Sequence, residues 1–291
     1  MASLAERLPQ NVPGEFFVDR TCIDCDTCRY VAPAVYAELA EGYSYVQHQP
    51  VTDEERRHAL MALLACPTGS IGTLSKPDLK PALQAFPEQI EDNVYYCGFT
   101  AEASFGAASY FIRRPEGNTL VDSPRAARPL LKRLEEWGGV KLLFLTHRDD
   151  VADHAIFRRH FGCERVLHRD DVSRGTAEVE RQPEGEEPVR LGPDLLMIPV
   201  PGHTRGHAVL LYRDQFLFTG DHLAWSPARD QLYAFRRHCW YSWAEQVRSM
   251  ERLLDYRFEW VLPGHGRRYR ADSAARMRAE LERCIAWMRR Q

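Results

Sequence analysis

The sequence predicts an α+β chain of two domains, a small one over residues 1–80 and a larger one over 81–291. Three observations lead there. In the first 80 residues a tight cysteine run, Cys22, Cys25 and Cys28, is answered by a distant Cys66. A polar, proline-rich stretch from Ser75 to Pro87 follows and reads as a linker. Beyond it, apolar strand-like runs alternate with helical spacing, and four of the runs lead into His147, His203, Asp221 and His265.

The 291 residues suffice for both domains and a sizeable core. Hydrophobic residues make up 44% and charged residues 27%, as in ordinary globular proteins. A net charge of −3 points to neither nucleic acid nor a membrane surface as partner. No apolar run reaches the length of a membrane span. The opening MASLAERLPQNVPGEFF carries early charges and prolines and no apolar signal core, so a cytoplasmic location is expected. There the clustered cysteines suit metal better than disulfides, while Cys97, Cys163, Cys239 and Cys284 stand singly as free or buried thiols.

In the small domain each clustered cysteine is three residues from the next, so a compact turn can aim three sulfurs at one point. Asp53 to Ala65 reads as a helix that ends at Cys66-Pro67, where proline fixes the backbone beside the fourth sulfur. Three close cysteines and a remote Cys-Pro suit a 4Fe-4S cluster. Four thiolates also suit structural zinc, although zinc sites more often pair their cysteines two and two. The segments CIDCDTC and ACPTGSI resemble the cluster-binding segments of single-cluster bacterial ferredoxins, over roughly residues 15–80. That resemblance implies a small ferredoxin-like fold, one 4Fe-4S cluster on Cys22, Cys25, Cys28 and Cys66, and a redox partner protein.

In the larger domain, residues 93–97, 109–113 and 118–122 read as strands, with a turn at Pro115 to Asn118. Arg125 to Trp137 has helical spacing and stops at Gly138-Gly139. Further strands are expected over 141–145, 164–168, 195–200, 208–212, 215–218 and 258–262. Residues 175–188 read as an exposed loop or hairpin, and helices are expected over 242–255 and 272–290. In the last helix Ala275, Met277, Leu281, Ile285 and Met288 share one face.

The strand over 141–145 runs into His147-Arg148-Asp149-Asp150-Val151-Ala152-Asp153-His154. Helical spacing over 149–161 would put Asp150, Asp153 and His154 on one face. Carboxylates and imidazoles at a strand's C-terminal end suit a metal site, and a capped helix start accounts for the same residues. Glycine in three of the strand ends (PGH, TGD and PGH) permits sharp turns and close approach, which favours the metal site.

The constellation resembles the metallo-β-lactamase superfamily, particularly its glyoxalase II and persulfide-dioxygenase branches. PGHTRGH, FTGDHL and LPGHG carry the resemblance, over roughly residues 90–268. It implies an αββα sandwich with metals at one edge of the two sheets. Carried over, His147, Asp153, His154, His203, Asp221 and His265 are metal ligands, with Asp221 bridging, and the histidine at 207 is not a ligand. The family's His-x-His-x-Asp-His is altered here: the loop is two residues longer and no second histidine follows His147. Asp149 or Asp150 is placed to stand in for it, so Asp150 joins the expected ligands, and both aspartates are candidate catalytic proton acceptors. One or two divalent ions are expected, and carboxylate in place of imidazole shifts preference from zinc towards iron or manganese.

Two chemistries suit such a site. One is hydrolysis of a small ester, thioester or similar substrate by metal-activated water. The other is an iron-dependent redox reaction fed with electrons by the cluster. A non-catalytic redox sensor is the third alternative, and analogy of fold does not choose among them. Residues 236–243 (RRHCWYSW) are unusually aromatic and suit either a substrate pocket or ordinary packing.

Overall fold

The computed structural model describes residues 2–291. They form two compact units, one of residues up to Lys141 together with Ala152–Gly162, the other of Leu142–Val151 with Cys163–Gln291. The secondary structure is a mixture of helix and strand throughout, as the α+β reading expects.

In the first unit, β1 (Phe16–Val18), α1 (Thr27–Val31), β2 (Tyr36–Glu38), β3 (Ser44–Val46), α2 (Asp53–Ala65) and β4 (Ile71–Thr73) build the cysteine-rich part. β1 pairs antiparallel with β4, and β2 with β3. Helix α2 opens on a reciprocal cap: the Thr52 hydroxyl accepts from the Glu55 N–H at 3.1 Å, and the Glu55 carboxylate accepts from the Thr52 N–H at 3.2 Å. The chain leaves the helix at Cys66, its C-cap, whose ψ of 120° is not helical, so the fourth sulfur sits at a helix end. The stretch expected to be a linker contains a short helix, α3 (Lys80–Gln84), with Pro81 in its first turn, where a missing N–H is tolerated. β5 (Glu88–Glu91), β6 (Val94–Tyr96), β7 (Tyr110–Ile112) and β8 (Thr119–Val121) form an antiparallel meander. α4 (Arg128–Glu136) starts three residues later than its spacing predicts because Pro129 sets the first turn.

The expected helix over 149–161 needs correction. α5 spans only His154–Phe161, with Asp153 as its N-cap. Asp150 therefore does not share a helical face with Asp153 and His154. The Asp153 carboxylate accepts the backbone N–H of Ala126 at 2.8 Å, which holds the helix start at that point.

In the second unit, β9 (Leu142–Phe144) pairs in parallel with β10 (Glu164–Val166). β11 (Val189–Gly192), β12 (Leu195–Pro199), β13 (Ala208–Tyr212), β14 (Phe216–Gly220), β17 (Trp260–Pro263) and β18 (Tyr269–Arg270) make a six-stranded sheet in that order. β15 (Ala224–Ser226) and β16 (Gln231–Tyr233) form a separate hairpin. Arg213 and Asp214 both take positive φ, the turn that fits the natural twist of a hairpin between β13 and β14. β12 and β13 are antiparallel, β13 and β14 antiparallel, and β14 and β17 parallel. The end of β12, the start of β13 and the ends of β14 and β17 consequently lie along one sheet edge.

One face of this sheet is closed by α6 (Trp243–Arg252) and α7 (Ala274–Met288). Ile198, Val209, Leu211, Leu217 and Val261 pack with Met250, Leu281 and Ile285 in a dry core. Full burial of each such side chain stabilises by about 1.5–3 kcal/mol, which makes the sheet a rigid platform for the loops at its edge. Ala275 is exposed rather than inward, whereas Glu280, paired with Arg276, is buried. No helix among the described residues is long and apolar enough to cross a membrane.

Candidate metal sites

The sheet edge gathers the histidines and aspartates. The loop after β9 carries His147, Asp149 and Asp150; the loop between β12 and β13 carries His203 and His207; Asp221 follows β14 directly, and His265 lies two residues beyond β17. The Thr146 carbonyl accepts the Ala208 N–H at 2.9 Å, which ties the end of β9 to the start of β13.

One oxygen is the focus. Asp221 Oδ2 lies 3.6 Å from His203 Nε2, 3.8 Å from His147 Nε2 and 3.9 Å from His265 Nε2. Asp149 Oδ2 faces the first two of these nitrogens, at 3.4 Å from His203 and 3.8 Å from His147. These separations are long for hydrogen bonds. They are close to the spacing of about 3.4 Å between two donors each about 2.1 Å from one tetrahedral ion. Two groups of three donors lie within 4.8 Å of one another: His147, Asp149 and His203, and His147, Asp150 and Asp221. His147 Nε2, both ring nitrogens of His203 and Asp221 Oδ1 are buried and make no hydrogen bond. Such orphaned polar atoms are costly in a folded protein, and bound metal is one way to satisfy them. The donor set therefore fits metal.

The surroundings fix these side chains. His147 Nδ1 meets the Thr146 hydroxyl at 3.0 Å, leaving Nε2 to point into the site. His207, stacked on His147 at 4.8 Å, accepts the Asp221 N–H through Nε2 at 3.1 Å and so positions the aspartate. A Cβ on Gly264 would come within 2.8 Å of Asp150 Oδ2 and 3.1 Å of Asp221 Oδ1, so glycine there makes room for two carboxylates. Asp171, which the sequence reading did not single out, is buried and accepts from the Arg148 N–H at 3.0 Å, the Thr204 hydroxyl at 2.5 Å and the Gly206 N–H at 2.8 Å. It joins the His147 loop to the His203 loop. Its signal in the sequence was one acid in the polar run His168-Arg169-Asp170-Asp171, indistinguishable there from a surface residue.

Asp153 and His154, the other two expected ligands, belong to the first compact unit, and among the described residues neither is in the two donor groups.

Burial sets the protonation of the site. It pushes the His147, His207 and His222 imidazoles down, His222 to about 3 with His203 adding to the effect. Neutral imidazole is the form that binds metal. The His203 side chain holds the Asp149 carboxyl low. Burial opposes ionisation of Asp221, but His265, His147 and His203 outweigh it and hold that carboxyl below its ordinary value. Of these donors Asp149 is the most open, with its side chain 44% exposed against 12% for Asp221 and 0% for His147. At the rim, Trp240 and Tyr241 are exposed yet anchored, their N–H groups donating to the His203 carbonyl at 2.8 and 3.1 Å.

The first unit carries the cysteine site. Cys22, Cys25, Cys28 and Cys66 line one cavity. Backbone N–H groups point at two of them, Ser44 N to Cys22 Sγ at 3.4 Å and Ser70 N to Cys66 Sγ at 3.3 Å. Arg29 pins the turns between the cysteines, reaching Asp24 at 2.7 Å and Asp26 at 2.5 Å. Burial pushes the Cys25 thiol up to about 11 and raises Cys28 further. A bound metal cation makes thiolates of such groups at neutral pH.

Residues 18–73 match the family described as the 4Fe-4S single cluster domain of ferredoxin I. Hydroxyacylglutathione hydrolases of Xanthomonas campestris pv. campestris, strains B100 and 8004, are each 30% identical over 111 residues, 37% of this chain. The match spans 43% of those relatives' own length. Among solved structures, the BLEG-1 B3 metallo-β-lactamase superposes with a TM-score of 0.50 at 17% identity, covering 63% of this chain and 95% of that one. The DIM-1 metallo-β-lactamase gives a TM-score of 0.50 at 15% identity, covering 67% and 96%. The chain thus combines a ferredoxin-type single-cluster domain with a metallo-β-lactamase fold.

Proposed function

We propose that the chain is a metal-dependent hydrolase acting on a small ester or thioester, with its 4Fe-4S domain over residues 1–80 and its hydrolase domain over 81–291. The observation that carries this is the convergence of three imidazole nitrogens on Asp221 Oδ2 at 3.6–3.9 Å. The local similarity to hydroxyacylglutathione hydrolases supports a thioester as the first substrate to try.

His147, Asp149 and His203 would hold one ion, and His147 or His265 with Asp150 and Asp221 a second, Asp221 serving both. Asp149 takes the place of the family's second histidine. Bound there, divalent metal lowers the pKa of water and polarises a carbonyl oxygen. Asp149, ionised and open to solvent, accepts the proton of the attacking water. His207 and Asp171 keep the ligand loops in register. Trp240 and Tyr241 form the rim against which the substrate's apolar part rests. Asp153 fixes the start of α5 and contributes through that helix.

A second reading has an observation of its own. His147, Asp149 and His203 are two imidazoles and one carboxylate, the set that suits non-haem iron, and the same chain carries an electron-transfer module. That reading makes the reaction a redox one, with a redox partner supplying electrons through the cluster.

One experiment separates the two. The anaerobically purified chain is assayed for thiol release from a hydroxyacyl thioester of glutathione, with the cluster oxidised and then reduced, and for oxygen uptake with thiol and persulfide substrates. Thiol release independent of cluster state and abolished by Asp221→Ala supports hydrolysis. Oxygen uptake without thioester cleavage rejects it in favour of iron chemistry.

A further inference from the structure

The family match for the cluster domain ends at residue 73, and the residues that line the cysteine cavity all lie within it, yet contacts to the cysteine-bearing segments continue beyond it. Residues 99–126, well beyond that match, reach back to Cys25 and to the two residues that precede Cys66, within the same compact unit.

At Cys66 the contact is through the end of α2. The last carbonyls of that helix precede the cysteine, and helix-end carbonyls need partners. The Thr100 hydroxyl donates to the Ala65 carbonyl at 2.7 Å, and Arg125 Nη2 donates to the Leu64 carbonyl at 2.9 Å. The Arg125 N–H in turn donates to the Phe99 carbonyl at 2.9 Å, so both donors come from one tied segment. A cation at a helix C-terminus is also favoured by the helix dipole.

At Cys25 the contact is through Gly106. A Cβ there would lie 2.7 Å from Cys25 Cβ and 2.9 Å from Cys25 Sγ, and its φ of +82° is one that side-chain-bearing residues rarely adopt. The Gly106 carbonyl accepts the Thr27 hydroxyl at 3.2 Å, and that hydroxyl is 3.3 Å from Cys25 Sγ. When Cys25 is a thiolate, its sulfur and the Gly106 carbonyl compete for the single Thr27 proton. Hydrogen bonds to cluster sulfurs set its reduction potential.

We propose that residues 99–126 are the mount of the 4Fe-4S cluster, with Thr100, Gly106 and Arg125 as its positioning residues. The proposal rests on the cluster reading of residues 18–73. It makes cluster retention and potential depend on a segment that the cysteine motif does not include.

The test uses the full chain with its cluster, reduced and observed by EPR, then followed by the loss of cluster absorbance under an iron chelator. Gly106→Ala changes the EPR spectrum and speeds cluster loss by about tenfold, the lower end of the range for groups that support metal ligands. Arg125→Met also speeds loss, whereas Arg125→Lys, which keeps a cationic donor, follows the wild type. If Gly106→Ala does not fold by circular dichroism, the Arg125 pair decides alone. Wild-type spectra and loss rates in the folded variants overturn the mount while leaving the cluster intact. A wild-type chain without acid-labile sulfide overturns the cluster reading itself, and the mount with it.

Discussion

The two candidate metal sites are built in opposite ways. The cysteine site draws three of its four sulfurs from seven consecutive residues, Cys22 to Cys28, and the fourth from a helix end. The His/Asp site draws on loops spread from His147 to His265, brought together because four strand termini share a sheet edge and the Thr146 carbonyl and Asp171 tie the His147 loop to it. Their protonation is opposite too. Burial leaves the Cys25 thiol protonated, up to about 11, so metal must displace its proton. Burial pushes the His147, His207 and His222 imidazoles down, His222 to about 3, so the donor His147 is held in the neutral form that binds metal. A local motif can be built around a demanding cofactor, whereas a site assembled by topology is held in shape by the sheet.

The largest expected effect tests whether the two sites are separable. Cys66→Ser removes a cluster ligand and is expected to abolish sulfide-bound iron while the His/Asp metal remains; elemental analysis with sulfide determination checks it. Loss of both metals together would break the distinction. Next comes Asp171→Ala, which unties the His147 and His203 loops. It is expected to weaken metal at the His/Asp site by about 10–100-fold, as for other groups that orient ligands, with the EPR of the cluster unchanged. Competition with a chromophoric chelator measures the first quantity.

Acid and base should then separate the regions in the metal-free chain. The unfolded histidine titrates near 6.5, so between 6.5 and about 3 the unfolded chain binds more protons at His222 and stability falls as pH drops through that window. The Cys25 thiol is raised from 9.0 to about 11, so the folded chain holds the extra proton and stability falls as pH rises through that window. Thermal melts across pH are expected to decline at both ends, and a melt flat below 6.5 would remove the buried-neutral histidines from the account. The smallest effect is at the helix that delivers Cys66. Thr52→Ala removes the cap of α2 and is expected to cost about 1 kcal/mol in chemical denaturation, with metal at the His/Asp site unaffected.

The same contrast governs what could be read from the sequence. The cysteine turn, α2 and the apolar face of α7 are local patterns, and strands such as β12 and β13 are continuous apolar runs. The strand-end positions of His203, Asp221 and His265 were legible because a glycine precedes each of them. The loop after His147 was not. Its periodicity suggested helix, but the helix starts at residue 154, where the Asp153 carboxylate accepts the Ala126 N–H from a segment distant in sequence. Asp171, Thr100 and Arg125 were invisible for the same reason: each acts through a bond between segments distant in sequence. β1 to β4 and the short hairpin β15–β16 are strands of three residues, too short for alternation to register.

The central claim is that one chain carries a thiolate cluster and a separate His/Asp metal site. Metal and sulfide analysis of the anaerobically purified full chain, beside its Asp221→Ala variant, tests it most directly. The account predicts about four iron with matching sulfide in both proteins, as one 4Fe-4S cluster requires, and one or two further ions that the variant loses. Zinc without sulfide in the wild type, or further ions that survive Asp221→Ala, would contradict it.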